Sequence, residues 1–163
     1  MRILVTGVTG QVGGALVARL PPSAIVLAAD RSVLDLAEPQ MIAGTLNRLA
    51  PDIVFNPAAY TAVDKAEDEP ELAMRVNAKA PGAMARWAAT RDVPLIHFST
   101  DYVFSGSGER AWREDDPPQP LSVYGATKLA GENEIRGAGG TFLIVRTSWV
   151  DAVEKGLVIF SEQ

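Results

Sequence analysis

Short apolar runs alternate with amphipathic stretches along the whole chain. Arg2–Thr6 reads as a strand and runs straight into Gly7, Gly10 and Gly13. Residues 11–20 then carry a helical pattern stopped by Pro21 and Pro22. Ile25–Ala29 is apolar throughout and predicts a second strand, buried on both faces as parallel strands are. Further on, residues 38–50 predict a helix, 52–56 a strand, 71–90 a helix broken at Pro81, 94–99 a strand, 121–136 a helix and 141–147 a strand. This alternation predicts an α/β fold, with a parallel sheet built from βαβ units and right-handed crossovers. Residues 31–36 are too few for a crossover helix, so any strand there follows its neighbour without the usual unit. Residues 105–120 form a long loop rich in Gly, Pro and acid, and loops of that length are often functional.

Composition narrows the chemistry. The chain has 163 residues, one domain's worth, with no Cys and a single His. Thiolate chemistry, a disulfide framework and a His-rich metal site are thereby excluded. The net charge is −5 and no basic stripe exists, so nucleic acid is not an expected partner. No apolar run nears the ~20 residues needed to span a bilayer, so no membrane is expected either. The first residues turn polar too soon for a signal peptide, and the expected setting is the cytoplasm.

The turn Gly7-x-x-Gly10-x-x-Gly13 between the first strand and the first helix suits a phosphate. One Gly permits the tight turn, another lets backbone approach a pyrophosphate, and a third lets the helix lie close on the strand. Thr9, Gln11 and Val12 share this segment. The helix N-terminus then aims N–H groups at the phosphates. The spacing is not the commoner G-x-G-x-x-G, and the plain alternative is a Gly-rich turn without a ligand. Asp30 ends the second strand, where an acid can hold the adenosine ribose. Arg31 follows it, and a guanidinium there suits a 2′-phosphate instead, so both NADH and NADPH stay open. Asp35 and Leu36 stand where an adenine could be edged and covered.

Tyr124-x-x-x-Lys128 puts a phenol and an ammonium on one helix face. A neighbouring cation is expected to lower the phenol pKa and make Tyr124 a usable acid or base. Ser99-Thr100-Asp101-Tyr102 follows a parallel strand, at the end that lines ligand crevices. Thr100 is the candidate for holding a substrate carbonyl; Ser99 and Asp101 read equally well as turn caps. Pro81 deprives the Asn77 carbonyl of its helical donor. Two helices meeting at Pro81 is one reading, and a water relay from Asn77 to Lys128 the other. His97 reads as a satisfied core residue and Trp87 as helix packing. The charged stretch 64–69 reads as a solvated turn and helix start.

These residues together resemble the extended short-chain dehydrogenase/reductases. The carrying segments are VTGVTGQVG at 5–13, NPAAYTAVDKAEDEPELA at 56–73, VNA at 76–78, HFSTDYVFSG at 97–106, PLSVYGATKLAGE at 120–132 and RTSWV at 146–150. The resemblance implies a Rossmann-like, doubly wound parallel sheet flanked by helices, with NADPH or NADH across its switch point. It further implies reduction of the 4-keto group of dTDP-4-dehydro-6-deoxy-L-mannose to dTDP-L-rhamnose. Tyr124 would supply the proton, Lys128 would hold the nicotinamide ribose, and Thr100 would orient the ketone. Ala58, Ala59 and Tyr60 match the segment lining the cofactor. Tyr102 and Trp149 match aromatic positions beside the dTDP-sugar, and Asp101 belongs to the same substrate set.

Two departures stand out. Some members dimerise around a magnesium ion held partly by an acid on the first helix; here that helix carries Gly14-Ala15, so no metal is expected. Members also continue past the RTSW strand into a further lobe, and residues 151–163 do not look like that continuation. Residues 1–150 are therefore expected to form the NAD(P)-binding domain and 151–163 an atypical tail, with the substrate lobe missing. The tail carries Leu157-Val158-Ile159-Phe160. It is expected either to cover its own sheet or to pair with a second copy, giving a homodimer. The reductase is the leading reading. A cofactor-binding module without turnover and another nucleotide-sugar enzyme, such as an epimerase, are the alternatives.

Overall fold

A computed structural model describes residues 1–107, 110–148, 150–153 and 156–159. Strand β1 (Arg2–Thr6) leads into helix α1 (Gln11–Arg19), β2 (Ile25–Ala29), α2 (Pro39–Leu49) and β3 (Ile53–Asn56). Helices α3 (Val63–Asp68) and α4 (Pro70–Met74) follow, then a π-helical turn Arg75–Lys79 and α5 (Ala80–Ala89). Strand β4 (Leu95–Thr100), a 3₁₀ turn Asp101–Val103, α6 (Val123–Ala138) and β5 (Phe142–Thr147) complete the main body.

The five strands form one parallel sheet in the order β2-β1-β3-β4-β5. The chain winds outward from β1 to β2, then crosses back through α2 to β3 on the other side. The carboxyl ends of β1 and β3 therefore flank a switch point, where ligands of doubly wound sheets bind. No strand forms over residues 31–36; Leu34 and Leu36 are buried in the core instead. That core joins Leu4, Val54 and Leu95 of the sheet to Ile42 and Leu46 of α2, Met84 and Trp87 of α5, and Ile135 of α6. Trp87 is indeed helix packing, and its indole donates to Asn47 Oδ1 at 2.8 Å.

Three expectations change. β2 is an edge strand and is not buried on both faces: Ile25 is 54% exposed, and only Ala29 is buried. The break at Pro81 is not a junction of two helices. The chain stays helical and takes a π turn, in which Ala80 N–H donates to the Arg75 carbonyl. The register slips where Pro81 has no N–H to offer, so the missing donor falls at a turn already off the α pattern. Of the two arrangements expected of the tail, joining its own sheet as a strand is not what the described residues do. β6 (Val150–Val153) pairs antiparallel with β7 (Gly156–Ile159), and this hairpin lies against α1 while β5 remains an edge. Phe160 lies outside the described residues.

Candidate active site

A cleft of about 630 Å³ opens at the carboxyl ends of β1, β3, β4 and β5. One wall is the glycine turn. Gly7 takes φ +57°, and a Cβ there would stand 2.9 Å from Ala58 Cα. Only Gly lets β1 turn this tightly against β3. A Cβ on Gly13 would collide with the Gly7 carbonyl, so the third Gly sets helix against strand. Gly10 N–H closes the turn onto the Gly7 carbonyl at 2.9 Å. Gly10 is also the N-cap of α1 and brings no side chain to cover its first turn. Thr9, Gln11 and Val12 line the same cleft, as do Ala59 and Ala58, the latter packed against Gly7. A glycine turn at a helix start in a cleft has the form that suits a pyrophosphate.

The β1–β2 register pairs Thr6 with Ala29, which puts Asp30 at the same sheet end as Gly7. Asp30 Oδ1 accepts from Ser32 Oγ at 2.6 Å, Ser32 N at 2.9 Å and Val33 N at 3.2 Å. The Ser32 hydroxyl above all, then the two backbone donors, hold this carboxyl below its ordinary value. Arg31 is exposed and 3.5 Å from Asp35, and Asp35 Oδ1 also accepts from Ala37 N. Leu36 is buried among core residues, 6% exposed. These four residues lie outside the cleft lining.

The opposite wall holds Thr100, Asp101, Tyr102, Tyr124 and Lys128. Ser122 caps α6 by accepting from Gly125 N at 3.1 Å, and Glu67 Oε1 accepts from Val123 N at 2.8 Å. The helix start that carries Tyr124 is thus fixed twice. Gly125 is required there, because a Cβ would meet the Tyr102 carbonyl. Tyr102 meets Tyr124 edge-to-face, centroids 5.6 Å apart. Thr100 lines the same wall as Tyr124, and Thr100 Oγ1 donates to Asp101 Oδ1 at 3.2 Å. Tyr102 N also donates to Thr100 Oγ1. Burial raises the Tyr124 phenol above its ordinary value. The Thr100 side chain pulls it partly back, and Asp101 and Tyr102 add to the rise.

That corrects the expected lowering by Lys128. The Lys128 side chain is 1% exposed and reaches into the sheet. Its Nζ donates to the Phe98 carbonyl at 2.6 Å and lies 3.5 Å from His97 Nε2. Burial brings this amine down to about 8, against the pull of Glu132. The charged form is therefore disfavoured in the fold. Below about 8 the folded protein carries that penalty, and it fades as pH rises toward the ordinary lysine value near ~10.4. Lys128→Met should raise stability at pH 7 by on the order of 1–3 kcal/mol. Thermal melts at pH 7 and pH 10 check this, with the gap between variant and parent shrinking at the higher pH.

Other expected residues stand elsewhere. Asn77 is 1% exposed and outside the cleft lining. Its side chain accepts from Tyr60 N at 2.8 Å and donates to the Tyr60 carbonyl and Thr127 Oγ1 at 3.1 Å each. Thr127 in turn donates to the Tyr124 carbonyl at 2.9 Å. The Asn77 carbonyl packs against Gly131, where a Cβ would collide with it. Asn77 thus ties the segment after β3 to the turn bearing Tyr124, and no hydrogen bond among the described residues joins it to Lys128. The Tyr60 hydroxyl donates to Glu69 Oε2 at 2.6 Å, which raises its pKa. Ser99 is no turn cap: its buried hydroxyl donates to Glu132 Oε1 at 2.6 Å. Trp149 lies outside the described residues. Glu67 was hidden in a charged stretch that reads as solvated, because its partner is 56 positions away.

A doubly wound parallel sheet, a glycine turn at its switch point and a Tyr/Lys pair across one cleft define a Rossmann-like domain of the short-chain dehydrogenase/reductase class. The chain belongs to the family described as RmlD substrate binding domain, whose model matches residues 1–159. It is 46% identical over 156 residues to the dTDP-4-dehydrorhamnose reductase of Salmonella typhimurium, covering 93% of this chain and 52% of that protein. Among solved structures it resembles a dTDP-4-dehydrorhamnose reductase of Clostridium acetobutylicum. The TM-score is 0.88 and the identity 37%, over 91% of this chain and 54% of that one. A dTDP-4-dehydrorhamnose reductase of Bacillus anthracis in complex with NADP matches with TM-score 0.86 and 35% identity, over 91% and 53%. The chain spans about half the length of the curated relatives it matches. Among the described residues no helix is long and apolar enough to cross a membrane.

Proposed function

We propose that this chain is the cofactor-binding and proton-donating half of an NAD(P)H-dependent reductase acting in the cytoplasm. Its substrate is dTDP-4-dehydro-6-deoxy-L-mannose, reduced at the 4-keto group to dTDP-L-rhamnose. One observation carries the reading: the glycine turn, Thr100 and Tyr124 line a single cleft. The turn fits a dinucleotide, because the positions of Gly7 and Gly13 admit no Cβ and Gly10 leaves the helix start uncovered. The nicotinamide cofactor supplies hydride when bound. Asp30 and Arg31 would hold the adenosine end of the cofactor, and Lys128 its nicotinamide ribose. Thr100 holds the ketone oxygen beside the Tyr124 hydroxyl, and Tyr124 gives that oxygen its proton. Tyr102 packs beside the sugar.

Titration with NADPH and NADH, followed by turnover with the dTDP-4-keto sugar, tests this. Binding of neither cofactor overturns it. Binding without turnover supports the narrower reading of a cofactor-binding module. Gly10→Leu is the specific check. A Cβ at this position meets only the Gly7 carbonyl, at 3.3 Å, so the variant should fold. The longer side chain should fill the space a pyrophosphate needs, weakening NADPH binding at least about a hundredfold. Calorimetric titration showing unchanged affinity would refute this role of the turn.

A further inference from the structure

A row of polar side chains crosses the sheet beneath the cleft. Thr6 on β1, Asn56 on β3, His97 on β4 and Lys128 on α6 are 2%, 0%, 0% and 1% exposed. Thr6 Oγ1 lies 2.7 Å from Asn56 Oδ1, Asn56 Nδ2 lies 3.1 Å from His97 Nδ1, and His97 Nε2 lies 3.5 Å from Lys128 Nζ. Asn56 and His97 are directly paired in the β3–β4 register. At the far end Ala58 N, in the strand-end segment touching Gly7, donates to Thr6 Oγ1 at 3.2 Å. Among the described residues no buried side-chain polar atom lacks a partner.

Proton counting limits this row to two patterns. In the first, Thr6 gives its one hydroxyl proton to Asn56 Oδ1, and Asn56 Nδ2 donates to His97 Nδ1. Nδ1 is then an acceptor, the ring proton sits on Nε2, and Nε2–H faces Lys128. An ammonium has donors only, so it opposes Nε2–H, whereas a neutral amine offers it a lone pair. In the second pattern the Asn56 amide is turned over. Nδ2 donates to Thr6 Oγ1, Oδ1 accepts from His97 Nδ1–H, and Nε2 is free to accept from the ammonium. Burial and the nearby Lys128 charge keep the ring itself neutral throughout, well below its ordinary pKa.

We propose that His97 is a positioning residue for Lys128. It partners the buried amine in both charge states by exchanging its ring tautomer as the Asn56 amide turns. When Lys128 loses its charge, its proton passes to Nε2 and the one on Nδ1 leaves to solvent, one proton in all. The amine therefore keeps its place beside the Phe98 carbonyl whether charged or neutral. The charged groups around it are few. Glu132 on α6 pulls toward the ammonium. Arg146 on β5 and Arg136 on α6 are paired to Glu132 and blunt that pull. Because Lys128 titrates at about 8, the exchange falls in an accessible range. The inference deepens the proposed function, since Lys128 is the residue assigned to the nicotinamide ribose.

The chain's single His makes the test direct. Long-range proton–nitrogen spectra of the imidazole and the Cε signal of Lys128 are followed in the ligand-free protein from pH 6 to 9.5. The Lys128 signal is assigned by its loss in Lys128→Met. The ring should go from the Nδ1–H to the Nε2–H tautomer with the same midpoint as Lys128, without passing through an imidazolium. A single tautomer across the whole Lys128 titration overturns the proposal. Asn56→Asp supplies two acceptors and should pin the Nδ1–H form, raising the Lys128 midpoint by about one pH unit, a tenfold gain in proton affinity. A folded Asn56→Asp with an unchanged midpoint also overturns it. Should that variant not fold, the parent spectra decide alone. Neither measurement uses a cofactor, so failure of NADPH to bind leaves this result readable.

Discussion

Tyr124→Phe should lower turnover by a factor of about 10²–10⁴ while leaving NADPH affinity unchanged. The ring keeps its volume and its edge-to-face contact with Tyr102, so the fold is retained. Only the hydroxyl is lost. The direction of the Tyr124 shift adds a second readout. Burial holds the phenol above its ordinary value, so the group stays protonated at neutral pH. A proton donor is active while protonated, and the rate should stay level through neutral pH and fall only as pH rises through this raised value. A general base would show the opposite slope. Single-turnover rates across pH, in a form of the protein that carries the substrate lobe, check both points. Full activity in Tyr124→Phe removes Tyr124 from the mechanism.

The residues that face the cleft through the backbone were legible in the sequence. Gly7, Gly10 and Gly13 announce themselves because spacing along a strand–turn–helix unit fixes where they stand. Tyr124 and Lys128 share a helix face for the same local reason. What Lys128 does there was not legible. The i,i+4 spacing puts the two side chains on one face, but the lysine is drawn into the sheet by the Phe98 carbonyl and His97, about 30 positions earlier. Ser99, Glu67 and the Asn77 side chain went astray likewise. Their partners Glu132, Val123 and Tyr60 are 33, 56 and 17 positions distant, beyond any local pattern. β2 misled for a different reason: an apolar run marks a strand but cannot say whether a neighbour covers its outer edge. Pro81 marked an irregularity correctly, yet a π turn absorbs it without ending the helix.

The largest stability loss is expected at Glu132, whose carboxylate is 0% exposed and joins three elements. Arg146 of β5 donates to it twice, from Nε at 2.9 Å and Nη2 at 2.7 Å. Ser99 of β4 donates at 2.6 Å, and Arg136 one turn along α6 lies at 3.0 Å. Burial alone would raise this carboxyl, but the bonds from Arg146 and Ser99 and the two charges overcome it and hold it below its ordinary value. Glu132→Ala strips the partner from a guanidinium that is only 15% exposed and should cost about 3–5 kcal/mol. That is a large part of the roughly 5–15 kcal/mol a domain possesses. The damage should reach the site, because Arg146 also lies over Phe104, which stacks on Trp112 at 4.7 Å in the loop that follows Thr100. Glu132→Gln keeps the shape and some of the bonds and should lose less. Its deficit also carries a pH signature. A carboxyl with a lowered folded pKa contributes fully above its unfolded value of about 4.3 and loses that contribution as pH falls through the lower folded value. The gap between parent and Glu132→Gln in urea unfolding should therefore be widest near neutral pH and close in acid. A gap that stays constant down to pH 3 would show that packing, and not the ion pair, accounts for the loss.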